Sequence, residues 1–536
     1  MFRSTIEAAV RDALQAIGAG GVVFIVERPA DMAHGDYSTN AAMIARVDAR
    51  ELTAQLHIEG VERIEVVGKF INFFLSHETI VSYKQDIPQI YEGKKVLVEY
   101  TSPNLFKPLH IGNLIGNILG ESVSRLLEAT GADVKRLNYP SDIGMTIAKS
   151  VWGLQELELN PEDIAELGKA YVAGNDAYES GEAKEKIEEI NRALYENSNA
   201  ELSALRKRGI ATSLRHLHQL CERLGTKKFD KEIFESESGP VGQNIVKEHV
   251  GDVFEESEGA VVYKGEQTRV FLTSQGLPTY EAKEVGLFEL KTKAYPDFDI
   301  SITVTGKEQQ DFFRVVFDAV RKLFPDKTAG KTLAHIPTSF LRLTTGKMSS
   351  RLGNVITGES LLEDLTRATR GREDVAVGAI KYTVLKSGST KDILFDPEKS
   401  LSLDGDSGPY LQYAHTRALS LIKAAKEASI IAEKPLSPAA GRKGDASESG
   451  FSARTTLERT LLHFPEVIER AAKELEPHYV TTYLTELASA FNSWYASERV
   501  IVDGKVSSHA LGLVAAVEQT LAKGLQVLGI PAPEEM

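Results

Sequence analysis

The chain has 536 residues, a length that predicts about three domains, each large enough to bury its own core. Its formal net charge of −14 weighs against broad nucleic-acid binding, although local basic surfaces can still contact phosphates. Cys221 is the single cysteine, which excludes an intrachain disulfide or a cysteine-based zinc site, so we expect no zinc. No run approaches the roughly 20 apolar residues of a membrane span. The first residues also lack the apolar core of a signal peptide, so we expect a cytoplasmic protein without membrane contact.

Residues 1–90 alternate helical periodicity with short β-like runs, which predicts a small α+β module. Residues 91–355 predict a Rossmann-like, doubly wound parallel sheet, interrupted by a charge-rich and largely helical insertion at about 151–260. The second half of this sheet is predicted to include strands at RVFLT (269–273) and DISITVTG (299–306).

The sequence pattern of residues 356–405 predicts a linking helical segment, and residues 406–536 show the periodicity of an all-α bundle. Within the bundle, residues 434–450 are rich in Pro, Gly and Ser and predict a mobile excursion. The predicted fold is therefore multidomain α/β, with an α+β module before the sheet and a helical domain after it.

The strongest local pattern is a strand at 96–100 followed by a polar turn and a helix that opens at His-Ile-Gly-Asn, residues 110–113. A helix N-terminus presents unpaired N–H groups and the positive end of a dipole, which attract phosphate. His110 can donate a hydrogen bond to a phosphate oxygen, and Gly112 lets a nucleotide approach the backbone. This turn predicts a nucleotide site.

A second pattern, GKMSSRLGN at 346–354, is a Gly-bounded loop with one lysine and two hydroxyls. Lys347 supplies a point charge for a polyphosphate, and Ser349 and Ser350 supply small donors. Each pattern alone is common. Together, in this order, they predict adenylate-transfer chemistry.

SPNLFKPLHIGN (102–113) and KMSS (347–350) resemble the HIGH and KMSKS signatures of class I aminoacyl-tRNA synthetases. The SPN-x-x-KP-x-H-x-G spacing resembles the arginyl-tRNA synthetase family within that class. Further segments resemble the N-terminal and C-terminal domains of that family: HGDYSTNAAM (34–43), GKFINFFLS (68–76), GPYLQYAHTRALSLI (408–422), residues 464–495 and LGIPAPEEM (528–536).

The resemblance implies an arginine–tRNA ligase that uses ATP and Mg²⁺ to form arginyl-adenylate, then transfers arginine to the 3′ end of tRNA(Arg). AMP and pyrophosphate are the by-products. It implies that residues 1–90 bind the tRNA D-loop, that residues 406–536 bind the anticodon, and that the protein is a monomer. The implied catalytic and ATP-binding residues are His110, Gly112, Asn113, Lys107, Lys347, Met348, Ser349 and Ser350.

A guanidinium group is planar and always charged, so a selective pocket needs carboxylates and a planar wall. Glu99 ends the strand before the HIGN turn, and Tyr280 and Glu284 are four residues apart on one predicted helical face. The resemblance implies that these three residues and Asn104 form the arginine site. Glu99 and Glu284 take the guanidinium, and Asn104 and Gln309 face the backbone end of the amino acid.

Three residues depart from the family pattern. Asn113 replaces the last histidine of HIGH, and Glu284 stands where the family usually has aspartate. KMSSR replaces KMSKS, which retains Lys347 but moves the second cation to Arg351. Lys107 and Lys347 are both present, so neutralisation of phosphate charge can be shared between them.

Tyr413 and Trp494, in the helical domain, are predicted to stack on anticodon bases, because single-stranded RNA loops are read in that way. Aromatic residues at helical spacing also form cores, and the sequence leaves both interpretations open. Two other functions also stay open: an adenylate former of the pantothenate-synthetase type that needs no RNA, and a tRNA-binding paralogue without catalysis. The single cysteine weighs against the zinc-dependent cysteinyl enzyme.

Overall fold

The computed structural model describes residues 2–82, 86–344, 357–427, 453–502 and 505–536. The KMSS residues and the Pro/Gly/Ser-rich segment 434–450 lie outside these ranges. In the part that is described, the chain forms an N-terminal α+β module, a parallel sheet flanked by helices and a C-terminal helical domain, which confirms the predicted fold class.

The N-terminal module is an antiparallel four-stranded sheet covered by helices, in the strand order β1-β2-β4-β3. Its elements are α1 (Phe2–Ala16), β1 (Val26–Glu27), a 3-10 turn (Met32–His34), β2 (Tyr37–Thr39), α2 (Ala41–Ala45), α3 (Ala49–Ala54), β3 (Val61–Val67), β4 (Phe70–Leu75) and α4 (His77–Ser82). Helix α1 buries Ile6, Val10 and Leu14, whose spacing of four residues places them on one face against the sheet.

The central region contains the parallel sheet and two groups of helices. Its first elements are β5 (Lys95–Glu99), α5 (Ile111–Ala129), β6 (Asp133–Asn138), α6 (Met145–Glu156), α7 (Ile164–Glu179), α8 (Lys184–Glu196), α9 (Ala200–Arg223) and β7 (Lys231–Glu232). They are followed by α10 (Glu235–Glu248), β8 (Glu255–Ser257), β9 (Ala260–Lys264), β10 (Thr268–Leu272), α11 (Tyr280–Ala294), β11 (Ile300–Gly306), a 3-10 turn (Lys307–Gln309), α12 (Gln310–Leu323), α13 (Pro325–Thr328) and β12 (Thr332–Thr338).

The parallel sheet has the order β12-β11-β5-β6-β7, so the chain moves outward from β5 in one direction and then restarts at β11 on its other side. The strand order therefore reverses between β5 and β11. In such sheets, ligands bind at the carboxyl ends of the strands at this switch point.

Two details differ from the sequence-based prediction. The run at 269–273 forms β10, which pairs with β9 in a separate antiparallel sheet, while β12 completes the parallel sheet. The predicted helical insertion also contains β7, a two-residue edge strand. An apolar run does not reveal which sheet it joins, and two charged residues carry no strand signal.

The C-terminal region is mostly helical. Its elements are β13 (Leu341–Leu343), α14 (Gly358–Ala368), α15 (Glu373–Leu385), β14 (Ile393–Phe395), α16 (Pro397–Ser400), α17 (Gly408–Glu427), α18 (Ala453–Leu462), α19 (Phe464–Glu474), α20 (His478–Ser497), β15 (Ile501–Val502), β16 (Lys505–Val506) and α21 (Ser508–Leu528). Leu114 and Leu126 of α5 belong to the same buried cluster as Leu487 and Leu521 of the bundle, so the sheet domain and the bundle share a continuous core.

Helices α10 and α11 approach each other unusually closely through two glycines. A Cβ atom at Gly286 would lie 2.0 Å from the carbonyl oxygen of Ser238, and one at Gly242 would lie 1.8 Å from that of Ala282. Because backbone cannot move aside as a flexible side chain can, these glycines fix the position of α11.

We expect Gly286→Ala to lower the free energy of unfolding by about 1–3 kcal/mol, since the added methyl group forces α10 and α11 apart. Gly512→Ala is the matched control, because Gly512 is exposed in α21 with no atom within 4 Å of its Cβ position. The control should be neutral or more stable by about 0.5–1 kcal/mol. Denaturant unfolding measures both variants, and equal stability of the two would contradict the close-packing interpretation.

Candidate functional site

The N-terminus of α5 lies at the switch point of the sheet and is capped by His110. The His110 Nδ1 atom accepts hydrogen bonds from the backbone N–H groups of Gly112 (3.1 Å) and Asn113 (3.4 Å). An accepting Nδ1 carries no proton, which assigns the proton of the neutral ring to Nε2. Burial, and then the charge of Lys107, lower the pKa of His110 and favour this neutral form. The ring therefore offers an Nε2–H donor.

Gly112 leaves the space that the imidazole occupies. A Cβ atom at this position would lie 2.9 Å from His110 Cε1. The sequence analysis explained Gly112 by the close approach of a nucleotide. The structure adds a second reason for glycine at this position, because a Cβ atom would meet the imidazole ring of His110.

The loop before α5 is held by two asparagines of that helix. Asn113 donates from its amide to the Thr101 carbonyl (3.2 Å), and Asn117 donates to the Thr101 hydroxyl (2.9 Å). Thr101 and Ser102 have φ values of 75° and 37°, which non-glycine residues adopt at a cost. Asn113 thus fastens a strained loop beside the site, a role that the sequence did not indicate.

Lys107 lies close to the same helix N-terminus. Its ammonium group sits 4.8 Å from the ring centre of Tyr171 on α7, and burial lowers its pKa. The positive charge of Lys107 lowers the pKa of His110, so the two side chains act together at the N-terminus of α5.

The predicted Lys347, Met348, Ser349 and Ser350 lie outside the described residues. The chain is described again from Thr357, which forms a β-bridge with His110. The backbone N–H of Gly358 donates to the Leu109 carbonyl (2.9 Å). Thr357 and Gly358 are therefore held against the HIGN turn.

A group of buried charges lies where α11 crosses the carboxyl end of β5. Glu99 is 2% exposed at the end of β5 and forms an ion pair with Lys291 of α11. Glu284 lies on the same helix and is partly accessible. Burial, followed by the charge of Glu99, raises the pKa of the Glu284 carboxyl to about 8. The charge of Glu99 therefore acts on the Glu284 carboxyl.

The other predicted arginine-site residues are more open. Tyr280 is exposed at the start of α11, Asn104 is exposed on the loop after β5, and Gln309 is exposed after β11. Asn104 follows β5 and Gln309 follows β11, the two strands that flank the switch point. The Lys283 ammonium lies 5.3 Å from the ring centre of Tyr280.

Sequence reasoning missed several residues of this region. Lys283 and Glu235 form a buried ion pair at 2.6 Å. Tyr139 is buried, and its pKa is raised by burial and then by Glu284, Glu235 and Glu99. Lys291 carried a usable signal, since it lies seven residues after Glu284 and so on the same helical face.

The structure contradicts one predicted RNA contact in the bundle. Trp494 is 1% exposed and stacks against Phe491 in the core, because it points inward from α20. Its neighbour Tyr495 is 40% exposed. The Arg417 guanidinium carbon lies 4.7 Å from the ring centre of half-buried Tyr413 and 5.2 Å from that of Tyr495, which makes a polar aromatic surface.

In the described part of the chain, no group of three or more His, Cys, Asp or Glu side chains is arranged to hold a metal ion. None of the helices described there has the length and apolarity needed to cross a bilayer.

Known protein families match the N-terminal, central and C-terminal regions of the chain. Three family profiles match: "Arginyl tRNA synthetase N terminal domain" at 4–75, "tRNA synthetases class I (R), catalytic domain" at 77–397 and "DALR anticodon binding domain" at 411–536. The arginine–tRNA ligase of Clostridium perfringens is 30% identical, with 96% of each chain covered.

Solved structures agree. The arginyl-tRNA synthetase of Thermus thermophilus has a TM-score of 0.80 and 26% identity, with 100% of both chains covered. That of Plasmodium falciparum has a TM-score of 0.77 over 100% of this chain and 99% of its own, and at 18% identity it supports the fold alone. The chain has the HIGN turn at the switch point of its sheet and the carboxylates of Glu99 and Glu284 on β5 and α11. It also matches these proteins over nearly its full length. The chain therefore belongs to the class I arginyl-tRNA synthetase family.

Proposed function

We propose that this protein is an arginine–tRNA ligase. A carboxylate oxygen of arginine attacks the α-phosphorus of ATP, the bond to pyrophosphate breaks, and arginyl-adenylate forms. A ribose hydroxyl at the 3′ end of tRNA(Arg) then attacks the acyl carbon, and AMP leaves. The observation that carries this proposal is the partly accessible Glu284 carboxyl, whose pKa is raised in part by Glu99, on the same sheet as the His110-capped helix N-terminus.

We assign the phosphates of ATP to the N-terminus of α5. The Nε2–H of His110 donates to an α-phosphate oxygen as negative charge develops there, and Gly112 and Asn113 keep the imidazole and the loop in place. Lys107 and Lys347 balance the charge of the polyphosphate. Met348, Ser349 and Ser350 are assigned to ATP binding with Lys347. Mg²⁺ enters as part of the MgATP substrate, bound to the phosphates.

We assign the arginine side chain to the pocket between β5 and α11. Glu99 and Glu284 supply the acidic surroundings of the guanidinium, with Tyr280 as the planar wall. Asn104 and Gln309 face the amino and carboxylate end of the substrate. Because a buried carboxylate left unpaired is costly, smaller neutral amino acids are rejected without an editing site.

For tRNA we propose two surfaces. In the N-terminal module, Ile25, Met43, Ile44, Val67 and Phe70 are exposed apolar side chains. The pairing of Val26 with Thr39, Thr39 with Ile71 and Val67 with Phe70 brings several of them to one end of the sheet. This end fits the unstacked bases of a D-loop.

In the bundle, Tyr413, Arg417 and Tyr495 form the anticodon surface. The protein acts as a cytoplasmic monomer.

ATP–pyrophosphate exchange across all twenty amino acids, with and without bulk tRNA, tests the proposed function. Arginine alone should support exchange, and tRNA should be required, as the resemblance implies. Silence under every condition, from folded protein that still binds tRNA, would contradict the ligase proposal and favour a binding paralogue. Exchange without RNA by an amino acid other than arginine would contradict the assignment of the pocket.

The two roles of His110 can be separated by substitution. Asn is a good N-cap residue, so His110→Asn should keep the stability of α5, whereas His110→Ala should cost about 1 kcal/mol. Both lose the Nε2–H donor, so both should lower the exchange rate by roughly 10²-fold or more. Thermal unfolding and exchange kinetics measure the two effects. A wild-type rate in His110→Asn would mean that His110 only caps the helix.

The raised pKa of Glu284 predicts a pH-dependent affinity for arginine. With a pKa of about 8 in the free protein, Glu284 is mostly protonated at pH 7, and a guanidinium favours the ionised form. The KM for arginine should therefore fall as pH rises from 6.5 to 8, by up to about 10-fold per pH unit, and level off above. Glu284→Gln should have a higher KM without this slope. The same slope in the variant would exclude Glu284 as its source.

Tyr495→Ala should raise the KM for tRNA about 10-fold, since one base–aromatic stack contributes roughly 1–3 kcal/mol. The KM for arginine should not change. Tyr495→Phe keeps the ring and is the control, with an expected KM for tRNA near that of the wild type. Aminoacylation kinetics measure both, and an unchanged KM for tRNA in Tyr495→Ala would remove this residue from the anticodon surface.

A further inference from the structure

Lys107 brings a positive charge to the N-terminus of α5 without an acidic partner. Within the described part of the chain, no carboxylate lies at ion-pair distance from its ammonium group. The ammonium lies instead over the ring of Tyr171 on α7, with 4.8 Å between the nitrogen and the ring centre. An aromatic face attracts a cation through its quadrupole and does not cancel the charge. The ammonium group is therefore held in place and still free to attract phosphate.

A second lysine packed against α7 shows the alternative arrangement. Lys149 lies 4.3 Å from the ring centre of Tyr178, about two turns further along the same helix. Its ammonium group also donates to Asn175 (2.9 Å) and pairs with Glu179 (3.2 Å). A carboxylate thus compensates the charge of Lys149, whereas the charge of Lys107 stays available to a ligand.

Helix α7 is a rigid support for the ring of Tyr171. It touches α6, backbone to backbone, just before and just after this residue. A Cβ atom at Gly153 would lie 2.1 Å from the carbonyl oxygen of Ala170, and one at Gly174 would lie 1.9 Å from that of Lys149. Because close-packed backbones cannot move aside, α7 carries the ring at a fixed distance from α6.

The main chain beside Lys107 is held by another helix of the same insertion. Phe106, the preceding residue, is 0% exposed and has a φ of 65°, which a non-glycine residue adopts at a cost. Its N–H donates to the hydroxyl of Ser213 on α9 (2.9 Å). Its ring fills the space left by Gly209, where a Cβ atom would lie 2.3 Å from Phe106 Cζ. Helix α9 therefore fixes the backbone of this loop, while α7 receives the side chain of Lys107.

We propose that Tyr171 is a positioning residue for ATP, which holds the ammonium group of Lys107 at the N-terminus of α5 without a competing carboxylate, so that its charge meets the polyphosphate. This role depends on the proposed function, in which Lys107 balances the charge of ATP. Tyr171 acts through Lys107 and does not touch the substrate. The helical insertion then takes part in adenylate formation, because α7 and α9 place a cation before ATP arrives.

The loss of the ring should affect one side chain and leave the surrounding loop in place. Without the aromatic face, the ammonium group of Lys107 loses its attraction and turns toward water on a flexible stem. The loop stays anchored through Phe106 and Ser213, so α5 and the arginine pocket keep their positions. The defect should therefore appear in steps that involve ATP and not in the binding of arginine.

The test compares Tyr171→Leu with two other variants. Tyr171→Phe keeps the aromatic face, and Tyr178→Leu removes a half-buried ring that also lies under a lysine on the same helix. ATP–pyrophosphate exchange is measured with varied ATP at saturating arginine and tRNA. We expect Tyr171→Leu to lower kcat/KM for ATP about 10-fold, as expected for one partly buried cation–π contact, with an unchanged KM for arginine. Tyr171→Phe should stay within about 3-fold of the wild type, and Tyr178→Leu should behave as the wild type.

A double-mutant cycle shows whether Tyr171 acts through Lys107. Lys107→Met removes the cation, and exchange should remain measurable because Lys347 shares the charge of the polyphosphate. Tyr171→Leu should cause no further loss in that background. An equal loss with and without Lys107 would overturn the proposal, because the ring would then matter to the helix rather than to the cation. A wild-type kcat/KM for ATP in Tyr171→Leu would overturn it too, as would an equal loss in Tyr178→Leu.

Should Tyr171→Leu not fold, phenylalanine is compared with pentafluorophenylalanine at position 171. The two rings have nearly the same shape, but fluorine withdraws electron density from the ring face and removes its attraction for a cation. The fluorinated ring should lower kcat/KM for ATP relative to phenylalanine. Equal values for the two rings would overturn the proposal.

The wild-type chain separates this role from the ligase function. Absence of arginine-dependent exchange by the wild type would contradict the ligase function. Normal wild-type exchange together with an unaffected Tyr171→Leu variant would contradict the role of Tyr171 alone.

Discussion

The buried carboxylate of Glu121, in the middle of α5, holds together the elements that build the site. It accepts hydrogen bonds from Tyr100 after β5 (2.8 Å), Arg125 on the next turn (2.7 Å) and Arg136 on β6 (2.8 Å). Burial opposes ionisation, but the charge and hydrogen bond of Arg136 outweigh it, and the pKa of Glu121 is lowered. An unpaired charge at this depth would cost several kcal/mol, so the three partners are effectively obligatory.

This arrangement ties the second half of α5 to the C-terminal bundle. Arg125, which is paired with Glu121, also donates to the carbonyl of Gln526 near the end of α21 (3.3 Å). Nearby, buried Lys381 donates to the carbonyl of Gly529 (2.6 Å). Cations at the carboxyl end of a helix are favourable, so Arg125 stabilises the docking of α21 on α5, and Lys381 stabilises that of α21 on α15. A helix capped by His110 at one end therefore rests directly on the domain proposed to bind the anticodon.

Much of the site could be predicted because its signals are local. The HIGN turn has a strand before it and a helix after it, and helical spacing put Tyr280 and Glu284 on one face. The same spacing places Lys291 on this helical face. Its ion pair with Glu99 could not be predicted, because that contact joins residues far apart in sequence. The prediction that Trp494 stacks on RNA bases is wrong, since its side chain is buried. Adjacent aromatic residues on a helix point in different directions, and periodicity alone does not decide which of Trp494 and Tyr495 is buried.

A crystal structure with arginine and a non-hydrolysable ATP analogue is the most direct test of how the pocket works. The expected result is a guanidinium within hydrogen-bonding distance of Glu284 and Glu99, and His110 Nε2 directed at the α-phosphate. A guanidinium bound away from these two carboxylates, or a nucleotide that does not lie at the N-terminus of α5, would contradict it.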